Sequence, residues 1–154
     1  MITTNSMELR FKATLKNETL ARASVIAFIE SLEPDIEVIG DIKTIVSEAV
    51  SNAIIHGYHL DSTKDVYIKC DIEGDNLYLV IADYGDGIEN VDLALTPHYT
   101  TRPDLERAGM GLTIIQSLSD SFTLRSVKSM GTRVIVTKKI VSDSSKAISE
   151  DVGI

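Results

Sequence analysis

The chain has 154 residues, of which 44% are hydrophobic and 25% are charged, a composition typical of one soluble globular domain. It has no apolar run near the ~20 residues that cross a bilayer and does not open with a signal-peptide pattern, so we expect a cytoplasmic protein without membrane contacts. The net charge of −8 disfavours direct binding of nucleic acid, because an acidic surface repels phosphates.

The first predicted elements are a strand and two helices. Alternating apolar residues predict the strand over residues 9–15, and helical spacing predicts the first helix over residues 17–32. A longer helix is expected to open at Asp35 or Asp41. It should end at Gly57, since glycine is the commonest residue just after a helix C-terminus.

The middle of the chain predicts a β-hairpin followed by a long loop. Residues 65–72 and 76–82 read as two strands around a short glycine-containing turn. Cys70 lies in the alternating run of the first strand, which predicts a buried thiol, and as the only cysteine it excludes an intrachain disulfide and a cysteine-based metal cluster. Residues 83–108 have no clean period, and a loop of this length is usually functional or mobile.

A helix over residues 109–118 and a second hairpin, formed by residues 121–127 and 133–139, complete the predicted domain. Strands that cluster in this order favour an α+β fold, a two-layer sandwich with helices on one face of a mixed, mostly antiparallel sheet. No linker divides the chain. We therefore expect residues 1–140 to form one domain and residues 141–154 to form a polar, disordered tail.

The second helix carries a line of polar side chains. Glu48, Asn52 and His56 follow one another at intervals of four residues, so they stack along one side of the helix among alanine, valine and isoleucine neighbours. A solvated face is the commoner role for such residues, although asparagine is a poor choice for an exposed mid-helix position. A carboxylate and a carboxamide one turn apart can also bind Mg²⁺ and orient a nucleophile. From this helix alone both interpretations stay open.

Three glycine-containing segments follow. The run Asp83-Tyr84-Gly85-Asp86-Gly87-Ile88 comes directly after a strand, where glycines would let the backbone approach a flat ligand and Asp83 could accept a hydrogen bond from an amino group. The run Gly109-Met110-Gly111-Leu112 opens a helix whose free N–H groups suit phosphates. Gly131-Thr132 lies in the last hairpin turn. Each segment is a weak indication alone, and no P-loop, dinucleotide-binding or zinc-protease motif is present.

Together these segments resemble the ATP-binding family of gyrase, Hsp90, histidine kinases and MutL (GHKL), which has the Bergerat fold. Within that family, residues 47–58 and 100–111 are similar to the anti-sigma factor serine kinases. The resemblance covers roughly residues 7–140. It implies ATP and Mg²⁺ as ligands and a homodimer that sequesters a sporulation sigma factor. It also implies serine/threonine-protein kinase activity on a serine of an anti-anti-sigma (STAS) protein.

The resemblance also implies residue roles, with Glu48 as the catalytic base, Asn52 as the Mg²⁺ ligand and Asp83 as the acceptor for the adenine amino group. Residues 90–108 would form a lid, and Arg22 and Arg107 would contact the protein partners. The remaining nucleotide contacts are expected from Gly85, Gly87, Ile88, Thr100, Thr101, Arg102, Gly109, Met110, Gly111, Leu112 and Thr132. Two alternatives stay open: a general-stress anti-sigma kinase of the same group, and a nucleotide-dependent sequestering module without kinase activity.

Overall fold

The computed structural model describes residues 2–96 and 111–141, which form a five-stranded sheet and the helices that cover it. The strands are β1 (Thr3–Lys12), β2 (Asp65–Glu73), β3 (Asn76–Asp83), β4 (Ser121–Val127) and β5 (Gly131–Lys139). The α-helices are α1 (Asn17–Ile29), α2 (Ile36–Asn52), α3 (Val91–Ala94) and α4 (Gly111–Leu118). A short 3₁₀ turn (Glu30–Leu32) continues α1, and a π-helical turn (Ala53–Gly57) continues α2.

The sheet has the spatial order β1-β2-β3-β5-β4, and each neighbouring pair of strands is antiparallel. The predicted α+β sandwich is therefore confirmed. The strand order brings the C-terminal end of β3 beside the first residues of β5, so that Asp83 lies directly opposite Thr132. Two segments that are almost fifty residues apart in the chain thus meet at one end of the sheet.

One face of the sheet and the apolar sides of α1, α2 and α4 form the core. Ile68, Ile81 and Val134 are register partners on β2, β3 and β5, and all three are buried. The apolar stripe along α2 and the turn that continues it is buried throughout: Ile42, Val46, Ala49, Val50, Ala53 and Ile54. This packing fixes the rotation of α2, because helical residues on one stripe must all face the sheet.

The ends of the elements differ in part from those that the sequence predicts. Asp35, rather than Asp41, begins α2, since its carboxylate accepts a hydrogen bond from the Val38 amide at 2.9 Å. The α-helical pattern ends at Asn52, and the π-helical turn carries the chain on to Gly57. The predicted loop contains α3, a single turn that begins where the Asn90 side chain accepts a hydrogen bond from the Leu93 amide at 2.9 Å.

Cys70 is fully buried, as predicted, and burial raises the pKa of its thiol to about 12. Within residues 2–96 and 111–141, no helix combines the length and the apolar character that a membrane span requires. Nor do His, Cys, Asp and Glu side chains of these ranges gather in a group of three that could hold a metal ion. Apart from Val141, the predicted tail lies outside the described residues.

Candidate functional site

A cavity of about 1010 Å³ lies between the end of α2, the end of β3 and the β4–β5 hairpin. A volume of this size suits a nucleotide-sized ligand. The structure places six of the predicted site residues in its wall: Asn52, Asp83, Gly87, Ile88, Leu112 and Thr132. Each of the four motif segments contributes at least one of them. The four segments thus lie together around one cavity.

Other predicted residues lie beside the cavity or outside the described part of the chain. Glu48 is half-buried one helical turn before Asn52 and does not itself contribute to the cavity wall. Gly85, in the turn after β3, packs against the backbone of Gly57. Gly111 is buried and is the first residue of α4. The remaining candidates lie outside the described residues: Thr100, Thr101, Arg102, Arg107, Gly109 and Met110.

Asp83 is the one buried charged residue of the described chain, with 6% of its surface exposed. Its Oδ1 accepts a hydrogen bond from the Gly85 amide at 2.9 Å, and its carboxylate accepts another from the Thr132 amide. Burial raises the pKa of the carboxyl to about 6, and the nearby Asp86 acts in the same direction, while the two amide donors partly oppose the shift. At neutral pH Asp83 therefore offers a fixed anionic acceptor at the inner end of the cavity.

On the α2 side of the cavity, the side chain of Asn52 is not satisfied by hydrogen bonds in the way that the Asp83 carboxylate is. Its carboxamide nitrogen is buried and makes no hydrogen bond in the described structure. Buried polar atoms without a partner are rare in native proteins, and each costs ~1–3 kcal/mol. A ligand with oxygen acceptors would satisfy the nitrogen, and the carboxamide oxygen is a ligand type that Mg²⁺ accepts. The residue therefore fits a magnesium–nucleotide complex.

The glycines of the turn after β3 are required by close packing between backbones. A Cβ atom at Gly85 would lie 2.0 Å from the Gly57 carbonyl oxygen, and one at Gly87, where φ is +71°, would lie 2.1 Å from the Val127 carbonyl oxygen. A Cβ atom at Gly57 would lie 2.7 Å from Cγ of Asp83. These positions thus have a structural reason for glycine besides the expected approach to a flat ligand, and sequence reasoning missed it.

The charge that Asp86 adds to this turn is paired at the rim of the cavity. Its carboxylate contacts Nε2 of His59. A second ion pair joins Nζ of Lys128, in the turn between β4 and β5, to the Glu89 carboxylate at 3.2 Å. All four side chains are exposed by at least half. Ion pairs this exposed contribute little to stability. Because all four residues line the cavity and are exposed, we place them at its entrance.

Arg22 lies on α1, away from the cavity wall, in a network that joins α1 to α2. Its Nη1 donates to Glu18 at 2.7 Å and to the Ser47 hydroxyl at 2.8 Å, and the Ser51 hydroxyl donates to the other oxygen of Glu18 at 2.8 Å. Ser47 and Ser51 directly precede Glu48 and Asn52. The predicted partner-contact arginine is therefore tied to the helix that carries the candidate base and metal ligand.

Comparison with known proteins agrees with a nucleotide-sized cavity and identifies the family of the chain. The sequence profile of the histidine kinase-like ATPase domain matches residues 11–138. A protein named anti-sigma F factor from Clostridium perfringens is 49% identical over 136 residues, which cover 88% of this chain and 97% of the relative. The chain belongs to the anti-sigma F factor family. A relative of the same name from Anoxybacillus flavithermus is 46% identical over 144 residues, covering 94% of this chain and 97% of the relative.

One solved structure shares the fold of this chain. A Mycobacterium tuberculosis protein with RsbU and RsbW domains superposes with a TM-score of 0.64 at 22% identity, covering 89% of this chain and 33% of that one. This likeness concerns the fold alone. It confirms that the five-stranded sheet and its helices form the GHKL-like ATPase architecture that the four motif segments predict.

Proposed function

We propose that this chain is an anti-sigma factor and a serine-protein kinase. In this proposal its ATP-bound form sequesters a sporulation sigma factor and phosphorylates a serine of an anti-anti-sigma (STAS) protein. The observation that carries the proposal is the shared cavity, which has the buried carboxylate of Asp83 in one wall and the unpartnered carboxamide nitrogen of Asn52 in another. Membership in the anti-sigma F factor family supports the sigma-factor partner.

The base of the nucleotide would bind at the Asp83 end. The carboxylate of Asp83 already accepts two backbone amides and keeps acceptor capacity for the amino group of adenine. Gly87 and Thr132 line the cavity beside it and would complete the contact with the ring. An anionic acceptor favours adenine over a base with a carbonyl oxygen at the same position, because that oxygen would face the carboxylate.

The phosphates would lie toward α2 and the start of α4. The Asn52 carboxamide would hold Mg²⁺, which supplies charge neutralisation at the phosphates when it is bound. The backbone amides at the N-terminus of α4, Gly111 among them, would donate to the same oxygens. Contacts from residues 100–102 and 109–110 stay predictions from the family resemblance.

Glu48 would act as the base in phosphoryl transfer. Its carboxylate would take the proton of the target serine hydroxyl while the serine oxygen bonds to the γ-phosphorus and the bond from that phosphorus to the leaving ADP oxygen breaks. Its place one helical turn before Asn52 is consistent with this role, because the serine would approach from outside the cavity wall.

The partners would dock on α1 and on the lid. Arg22 is half-buried between Glu18 and Ser47, so a partner carboxylate would have to compete with Glu18 for its guanidinium. Arg107, the lid over residues 90–108 and the homodimer stay predictions.

The test is a Glu48→Gln variant assayed with a purified STAS-type substrate, labelled ATP and the sigma factor. We expect phosphotransfer to fall by about 10²–10⁴-fold, the usual contribution of a general base, while ATP and sigma-factor binding change by less than about twofold. Glu37→Gln, an exposed position in the first turn of the same helix, is the matched control and should transfer phosphate at the unaltered rate.

Three outcomes would contradict parts of the proposal. Loss of ATP binding in Glu48→Gln would make Glu48 a structural residue, and unaltered phosphotransfer would exclude it as the base. A parent protein that binds the sigma factor with ATP but forms no phosphoserine would be a nucleotide-dependent sequestering module.

A further inference from the structure

Tyr58 is a buried residue at the end of the 47–58 run, and neither the family resemblance nor the proposed function gives it a role. It follows the π-helical turn directly, and 7% of its surface is exposed. Its hydroxyl donates a hydrogen bond to the Asp65 carbonyl oxygen at 2.6 Å and accepts one from the Tyr84 amide at 2.7 Å. One oxygen thus joins the end of α2, the first residue of β2 and the residue that follows Asp83.

The neighbouring residue holds the other end of the same turn. The Gly57 carbonyl oxygen accepts a hydrogen bond from the Asp86 amide at 3.0 Å, and the Gly57 Cα packs against the Asp83 carboxylate. The backbone of residues 83–86 is therefore attached at two points to two consecutive residues, Gly57 and Tyr58.

The π-helical turn makes this double attachment possible. The Tyr58 amide donates to the Ala53 carbonyl oxygen, five residues earlier, at 3.0 Å. A turn of this width shifts the residues after Asn52 relative to an α-helical continuation, and such turns are frequent at functional sites. In this chain the shifted residues are the two that bind the turn after β3.

We infer that Tyr58 is a positioning residue for recognition of the nucleotide base, acting through the Tyr84 amide on the carboxylate of Asp83. The inference rests on the proposed function, in which that carboxylate accepts the adenine amino group. The peptide between Asp83 and Tyr84 determines where the Asp83 side chain leaves the backbone, and the Tyr58 hydroxyl accepts the hydrogen bond of that peptide. The Asp83 carboxylate also accepts a hydrogen bond from the Gly85 amide. A shift of the Asp83–Tyr84 peptide would therefore displace this carboxylate together with the turn that donates to it.

A purely structural role predicts a different result from a positioning role. The hydroxyl satisfies two partly buried backbone groups, and its loss would lower stability whatever the cavity binds. Lower stability alone reduces the affinity for every nucleotide by the same factor, and it leaves these affinities unaltered while the protein stays folded. A positioning role weakens only those nucleotides whose base donates to Asp83.

The experiment compares Tyr58→Phe with the parent protein in binding ATP and inosine triphosphate, both with Mg²⁺. Inosine triphosphate carries a carbonyl oxygen in place of the amino group. We expect ATP affinity to fall about fivefold, the effect of one misplaced hydrogen bond, and inosine triphosphate affinity to stay within about twofold. Tyr78→Phe is the matched control, because Tyr78 lies on β3 and its hydroxyl makes no hydrogen bond within the described residues. It should leave both affinities unaltered.

A second measurement uses the parent protein alone, so it does not depend on the folding of the variant. Amide hydrogen exchange should show protection of the Tyr84 amide in the nucleotide-free protein and slower exchange when ATP and Mg²⁺ are added, with a smaller gain on addition of inosine triphosphate. Rapid exchange of this amide in the free protein would overturn the inference.

The two proposals fail in different ways. Equal losses of affinity for both nucleotides in Tyr58→Phe, or no loss for either, would overturn the positioning role and leave the proposed function intact. A parent protein that binds no ATP, or that binds ATP and inosine triphosphate equally well, would contradict the proposed role of Asp83 and the inference with it.

Discussion

The two walls of the cavity differ in how their polar groups are satisfied. At the base end, Asp83 receives amides from its own turn and from the opposite strand, and the Ile88 amide donates to the Ser126 hydroxyl at 2.6 Å. On the α2 side, the Asn52 carboxamide nitrogen is buried with no partner among the described residues. The base end is therefore organised by the protein itself, whereas the α2 side keeps a polar atom that a ligand would have to satisfy.

This difference separates two kinds of energetic contribution. An unsatisfied buried donor costs ~1–3 kcal/mol, and a ligand that satisfies it restores that amount on binding. At the base end the carboxylate is already held in place, so binding there loses little conformational entropy. Substitutions on the α2 side should therefore act by removing a ligand contact, and substitutions at the base end should act by displacing a preformed acceptor.

The largest effect should come from Asn52→Ala. We expect the affinity for ATP with Mg²⁺ to fall by at least about 10–100-fold, because that range applies to groups that only orient a metal ligand and Asn52 would hold the ion itself. The free energy of unfolding without nucleotide should stay the same or rise, because the change removes an unsatisfied buried donor and alanine favours a helix. Calorimetric titration and chemical denaturation measure the two quantities.

Asn76→Ala, at the start of β3 and away from the cavity, is the control for Asn52→Ala and should bind ATP as the parent does. If Asn52→Ala binds ATP unaltered, or if its stability falls sharply, the carboxamide is a structural group, and the contrast between the two walls is lost.

An intermediate effect is expected at the junction of the two walls. A methyl group at Gly57 would come within 2.7–2.8 Å of the Asp83 carboxylate atoms, so Gly57→Ala must displace that carboxylate or the helix end. We expect ATP affinity to fall about tenfold, the equivalent of about 1.4 kcal/mol, and stability to decrease as well. Nucleotide titration and thermal unfolding would show both changes.

Gly40→Ala provides the matched substitution in the same helical segment. A Cβ atom at Gly40 meets no atom within 4 Å, so the change should raise the free energy of unfolding by about 0.5–1 kcal/mol and leave ATP affinity unaltered. If the two alanine variants bind ATP equally well, the contact between Gly57 and Asp83 has no role in the site.

The local pattern of the sequence predicted the core and marked Asn52 and Asp83 as candidate site residues. Apolar spacing in α2 fixed which side faces the sheet, so Asn52 and His56 could be placed on one line, and both line the cavity. Asp83 follows a strand and precedes glycines, which marks a turn with an acceptor. Each of these signals is local, because the residues that form it lie within a few positions of one another in the sequence.

Contacts between distant segments could not be predicted in this way. Gly57 reads as a helix stop, and nothing near it in the sequence refers to Asp83, twenty-six residues later. Tyr58 has no local signal for its contacts, since the partners of its hydroxyl are Asp65 at the start of β2 and Tyr84 just after β3. The π-helical turn has no pattern of its own either, because its wider hydrogen bonds depend on what the shifted residues contact.

The first strand and the lid show two further limits of sequence reasoning. β1 begins at Thr3, earlier than predicted, because its exposed first residues pair with β2 through backbone hydrogen bonds that need no apolar alternation. In the lid, the roles of Thr100, Thr101, Arg102 and Arg107 depend on the family resemblance alone and stay predictions.

The smallest predicted effect concerns pH and tests whether the charge on Asp83 matters at the base end. Because burial raises the pKa of this carboxyl to about 6, most molecules should carry a protonated Asp83 at pH 5.5. If the ionised form is the acceptor for adenine, ATP affinity should fall about fourfold between pH 7.5 and pH 5.5. Asp83→Asn should bind ATP weakly and without this pH dependence, and the difference between the two profiles isolates the contribution of Asp83.

The stability of the nucleotide-free protein should change in the opposite direction. A carboxyl whose pKa is raised by folding binds its proton more tightly in the native state than in the unfolded chain, so Asp83 makes its largest stabilising contribution below pH 4 and loses it as the pH rises to about 6. Chemical denaturation at pH 5 and pH 7 should show this slope in the parent and a smaller one in Asp83→Asn. Saturating ATP should reduce the slope in the parent as well, because an amino group that donates to Asp83 favours the ionised form; an undiminished slope would mean that the ligand does not reach this carboxylate.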